Sequence, residues 1–343
     1  MKKNGLALLV IIFFLLSFRQ AGKVVFQFPD IFPAPTYDFT KNPLDSNKIE
    51  LGRLLFYDAI LSKDNSISCS TCHSPFDAFA HNDHQLSHGI HDSIGNRNAP
   101  PLFNLAWHSS FMWDGAINHL DMQALAPISS TTEMGDNIVN VVNKLQNDSF
   151  YRSKFYTVYG DSIVTGEKVL KVLSQFQLTL VSANSKYDQV IRGEGDFTDQ
   201  ELKGYKLFQK NCNSCHQEPL FSTYELAQNF ISVDSSLNDY GNGAISKLKE
   251  DSLLFKIPSL RNLEYSFPYM HDGRFFELDS VLNHYTSKET KLRFKKAGYQ
   301  KINLSESNKV DLISFLFTLN DKEFVFDEKH RFPRELLMKW KGE

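Results

Sequence analysis

Cysteine is scarce in this 343-residue chain: Cys69, Cys72, Cys212 and Cys215 are the only four, and none lies near the N-terminus. A lipoprotein anchor is therefore excluded. Charge of one sign is lacking as well, with 37 basic against 40 acidic side chains, which removes any electrostatic reason to expect nucleic acid as a partner. No second long apolar run follows the one at the N-terminus, strand-like alternation is rare, and a βαβ rhythm is missing. What remains is 42% apolar and 13% aromatic, enough for two buried cores and unlike a disordered or collagen-like chain.

The N-terminal stretch MKKNGLALLVIIFFLLSFRQAGK sets Lys2 and Lys3 ahead of an apolar run from Leu6 to Leu16, followed by a polar break at Ser17, Arg19 and Gln20. This is the pattern of an export signal over residues 1–22. The run falls short of the roughly 20 apolar residues of a spanning helix. Only Ala21-Gly22 offers a weak cleavage site, so an uncleaved anchor stays open. The mature protein is expected in a periplasm.

All four thiols fall in two copies of one pattern, SCSTCHSPF at 68–76 and NCNSCHQEP at 211–219. On a helical turn, residues i and i+3 share a face and i+4 lies beside them. Two thiols so placed can form thioethers with the two vinyl groups of one haem, and the next histidine reaches the iron from the same side. C-x-x-C-H is thus a c-type haem attachment signal. A zinc site shared between the two segments would leave both histidines unexplained, since zinc takes four ligands. A redox pair expects a βαβ context. Two covalent haem c groups are expected, with His73 and His216 as proximal iron ligands.

The repeat divides the chain into a domain at 40–192 and a second at 197–325, one haem in each. RGEGDFTD, with two glycines in a polar stretch, is the linker. Thr198, with Glu201 three residues on, forms a capping box that opens a helix through QELKGYKLFQ to the second motif. KIELGRLLFYD is the matching helix before the first. SESNKVDLISFLFTLND has a polar start and apolar positions Val310, Ile313 and Phe317 at helical spacing. These features predict an all-α protein of two cytochrome c-like domains with long loops, SHGIHDSIGNRNAPPL among them.

Six further stretches, in order LGRLLFYDAILSKDNSISCSTCH, GNRNAPPLFNLAW, FMWDGAINHLDMQALAPI, EMG, IPSLRN and PYMHDGRFFELDSVLNHY, resemble the bacterial di-haem cytochrome c peroxidases and their relative MauG. The resemblance covers about residues 45–320. It implies that the N-terminal haem meets peroxide and the C-terminal haem relays electrons. It places Glu133 at the distal acid, Gln123 at its polar companion and Trp113 between the haems. Asn98, with carbonyls near Ser266 and Pro268, falls at an interdomain calcium site. Where the family's peroxidases carry a methionine as second ligand of the C-terminal haem, this chain has Tyr285, as MauG does, with Met270 as the nearest alternative. His88, in a loop that also holds His81, His84 and His91, is best placed as a removable distal ligand.

The reading that follows is an enzyme reducing hydrogen peroxide with electrons from a small donor protein such as a cytochrome c, with a homodimer admitted. The alternatives are a MauG-like oxidase acting on side chains of a partner protein, and a di-haem carrier without catalysis.

Overall fold

A computed structural model describes residues 22–341; the expected signal at 1–22 lies outside these residues apart from Gly22. Asp45 starts the first helix, α1 (Ser46–Tyr57), by accepting hydrogen bonds from the backbone of Asn47 and Lys48. The first haem motif forms a one-turn helix, α2 (Cys69–Cys72). After a long loop come α3 (Leu120–Gln123), α4 (Leu125–Ser129), α5 (Ile138–Asn147), α6 (Ser149–Tyr159) and α7 (Gly166–Leu178). The second half follows as α8 (Lys186–Ile191), α9 (Asp199–Asn211), α10 (Gly243–Ser246), α11 (Leu278–Thr286), α12 (Lys288–Lys296), α13 (Glu306–Phe317), α14 (Lys322–Phe326) and α15 (Arg334–Lys341). Strand structure among the described residues is one antiparallel pair of two-residue strands, β1 (Leu226–Ala227) and β2 (Phe255–Lys256). The Thr198–Glu201 capping box is formed, and α9 runs from it to the second motif.

Each half is built on one helix crossing. In the first, α1 lies so close to α7 that a Cβ on Gly52 would stand 1.8 Å from the Val172 carbonyl oxygen. In the second, a Cβ on Gly204 of α9 would stand 2.0 Å from the Asp311 carbonyl oxygen of α13. Beside each glycine two phenylalanines meet, Phe56 with Phe176 at 5.1 Å and Phe208 with Phe315 at 5.2 Å between ring centres. Glycine permits the approach, and the rings fill the space around it. The helix immediately before each haem motif is thereby fixed to the body of its own half.

On α13 the residues Val310 and Phe317 do not face the core: they are 57% and 46% exposed. Leu312, Phe315 and Leu316 are buried instead. The helix is apolar on more than one face, and the groove at Gly204 selects the face that carries Phe315. Two cores result, one including Leu54, Phe56, Phe79 and Phe176, the other Phe208, Phe221, Leu312 and Phe315. The chain crosses between them, for Tyr187 joins the second while Phe324, Val325 and Leu337 return to the first.

Candidate functional site

Both cysteine motifs close in the same way. The His73 N–H donates to the Cys69 carbonyl at 3.0 Å and the His216 N–H to the Cys212 carbonyl at 2.9 Å, the i to i+4 bond of a helical turn. Each imidazole is then pinned through Nδ1, His73 to the Phe79 carbonyl at 2.8 Å, and His216 to those of Pro258 at 3.1 Å and Phe221 at 3.3 Å. That bond fixes the ring and leaves Nε2 as the nitrogen to face a metal. Burial lowers both histidines to about 4, so they are neutral bases at pH 7.

Burial also pushes the thiols up, Cys69 and Cys212 to about 12 and Cys72 to about 11. A redox pair needs the opposite shift, toward the thiolate. Two thiols three residues apart beside a pinned neutral imidazole fit a covalently attached haem in each half.

Around the first turn the fold gathers groups far apart in sequence. The Cys72 sulfur lies 3.5 Å from the His88 carbonyl, and the Glu133 carboxylate is near enough to raise that thiol further. The loop carrying His88 is tied to the Glu133 turn by the Ile90 N–H, which donates to the Glu133 carbonyl at 2.8 Å. Burial lifts the Glu133 carboxyl above the ordinary range, opposed by the Ser130 side chain and the Arg97 charge. His81, His84 and His88 stand in a row, with ring centres 5.2 and 4.6 Å apart. Gln123 ends α3 and points its amide at the Met112 sulfur, 3.7 Å away.

Around the second turn lies a cavity of about 240 Å³ onto which Cys212, Cys215, His216, Tyr285, Met270 and Trp113 all face. Burial raises the Tyr285 phenol far above its usual value. The Met270 sulfur is already engaged, accepting from the Asn229 amide at 3.4 Å. Asn98, Ser266 and Pro268 share the cavity wall. Asn98 accepts the Trp113 indole N–H on its carbonyl at 2.8 Å and donates from its side chain to the Gln85 carbonyl at 3.1 Å. No group of three or more His, Cys, Asp or Glu among the described residues is arranged for a metal ion. A calcium ion here would rest on neutral amide and carbonyl oxygens.

Met112 and Trp113 are consecutive, so one short stretch touches Gln123 on one side and the second cavity on the other. This stretch is held by residues that sequence reasoning missed. Arg97 reaches Asp114 at 2.6 Å and grips Asp239 through two bonds of 2.6 and 2.8 Å, joining the two halves. The Lys256 N–H donates to the Trp113 carbonyl at 2.7 Å, and its amine, brought down to about 8 by burial, lies 3.2 Å from His108 Nδ1. Arg97 sits inside the GNRNAP stretch, yet nothing local names partners so far along the chain.

Fold and sites together define a class, a helical protein with two cores and a C-x-x-C-H turn in each half. The profile of the family described as di-haem cytochrome c peroxidase matches residues 46–196. The methylamine utilization protein MauG of Methylophilus methylotrophus is 33% identical over 308 residues, covering 86% of this chain and 88% of that protein. Cytochrome c551 peroxidase of Nitrosomonas europaea is 31% identical, over 76% of this chain and 79% of its own. Among solved structures, a MauG-like protein associated with microbial copper homeostasis superimposes with a TM-score of 0.81 at 26% identity, over 90% of this chain and 99% of that one. The chain belongs to the di-haem cytochrome c peroxidase family.

Proposed function

We propose that the protein is a di-haem peroxidase that reduces hydrogen peroxide to water with electrons from a small donor protein such as a cytochrome c. The observation that carries this reading is the half-buried Glu133, its carboxyl raised by burial, set beside the attachment turn of Cys72. When bound, the haems supply an open iron position and two linked redox centres. The remaining work falls to side chains.

Peroxide arrives neutral, and cleaving its O–O bond heterolytically requires a proton to leave the near oxygen and one to reach the far oxygen. The Glu133 carboxylate takes the first and returns it to the second, a role open to a group whose pKa lies closer to the working pH than that of an exposed glutamate. Gln123 does not titrate and serves to orient. His73 is held by its bond to Phe79 so that its ring cannot turn away. Trp113 lies between the two sites, where an aromatic ring assists electron exchange. His88 gates or ligates at the first iron, Tyr285 ligates the second, and Asn98, Ser266 and Pro268 hold one calcium ion. The chain works in a periplasm, reached through the signal at 1–22.

A second reading is favoured by one observation: Tyr285, in place of the methionine of the family's peroxidases, faces the second cavity. A MauG-like oxidase would direct the same oxidising power to side chains of a partner protein. Mixing the reduced holoprotein with one equivalent of peroxide separates both enzymes from a carrier. Prompt oxidation of both haems is expected, and an unchanged spectrum overturns the peroxide chemistry. Among the described residues, no helix is long and apolar enough to cross a membrane.

A further inference from the structure

The segment 288–301 has six basic residues and one acidic in a chain whose formal net charge is −3. Its one acid, Glu289, is occupied by Arg293 at 2.5 Å. Lys288, Lys296 and Lys301 are exposed, and no carboxylate among the described residues forms an ion pair with any of them. The segment is not a solvated charged face alone. Leu292 and Tyr299 within it are 53% and 43% exposed, so an apolar centre sits inside a basic rim. Tyr299 also lines the second cavity, together with Phe294. A row of rings leads inward, Tyr299 to Phe294 at 5.7 Å and Phe294 to Tyr285 at 6.0 Å between centres.

We propose that α12 and the stretch through Lys301 form the docking surface for a small acidic one-electron redox protein, with Tyr299 at its centre where electrons pass to the second site. Charge complementarity names the partner's sign, since a rim of one sign steers a partner of the other and rejects its like. The apolar centre gives the contact that excludes water, as at other transient interfaces. The inference rests on the peroxidase reading for its purpose. Two reduced donor molecules each lose one electron, and with two protons from solvent one hydrogen peroxide becomes two waters.

The test is calorimetric binding of two oxidised probes to the holoprotein at low ionic strength, a small c-type cytochrome acidic at pH 7 and a basic one. The acidic probe should bind, and added salt should weaken it. Combining Lys288→Glu, Lys296→Glu and Lys301→Glu should raise its Kd about tenfold or more and let the basic probe bind. Peroxide turnover with a neutral ferrocene donor should stay unchanged in that variant. Tyr299→Leu should slow oxidation of the acidic cytochrome even when that probe saturates the surface. An unchanged Kd in the triple variant overturns the proposal. So does a loss confined to binding of phosphatidylglycerol vesicles, which would make the rim a membrane contact. If the neutral donor gives no turnover in the wild-type protein while the acidic probe binds as described, the peroxidase reading fails and the docking surface stands.

Discussion

Glu133 shows how one side chain takes its chemistry from its place in the fold. Its carboxyl is raised by burial, so under the proposed mechanism the carboxylate that would accept a proton from peroxide is reached at a higher pH than for an exposed glutamate. The rate with peroxide should therefore climb as pH rises through that raised pKa. Glu133→Gln keeps the shape and removes the titrating group: both haems should load, the rate should fall about 10²–10⁴-fold, and the acid limb should vanish. A variant that keeps the limb moves the base to the histidine loop. Tyr285 is tested by its own spectrum. Tyr285 faces the second cavity and is proposed as ligand of the second iron, whereas the Met270 sulfur already accepts from Asn229. Tyr285→Phe should alter the spectrum of that haem alone, and an unchanged spectrum transfers the role to Met270.

Among the helices, the two crossings carry the load of positioning. Gly204→Ala would force a methyl group against the Asp311 carbonyl and the Phe315 side chain, both at the crossing that fixes α9. It should lower stability by about 1–3 kcal/mol, read as a fall in Tm. A Tm unchanged from wild type would mean that α9 shifts freely and does not fix the second turn. What could be read in sequence here was whatever depends on neighbours: the Thr198–Glu201 cap, the helices leading to each motif, and the turns themselves. The buried face of α13 was not legible. Val310 and Phe317 satisfy helical spacing as well as Leu312, Phe315 and Leu316 do, Ile313 packs partly against the core, and the groove at Gly204 favours the face that carries Phe315.

For the whole molecule, the same distinction separates what the motifs announced from what they could not. Ordered motifs brought Cys212, Cys215, His216, Tyr285, Met270 and Trp113 onto one cavity. Arg97, Asp114 and Asp239 join the halves through contacts 17 and 142 residues apart, and no local pattern encodes such a pairing. The thiols, paired on two turns, predict that the holoprotein outweighs its bare chain by two haem masses; an intact mass showing one haem or none contradicts that. The most direct test of the function is continuous oxidation of a reduced small cytochrome c by hydrogen peroxide, catalysed by the holoprotein and followed over many turnovers. A peroxidase consumes two cytochromes per peroxide until one is exhausted. Prompt reaction of the haems with peroxide but no sustained cytochrome oxidation, with oxidising equivalents delivered instead to side chains of a protein, would contradict the assignment and leave the MauG-like oxidase in its place.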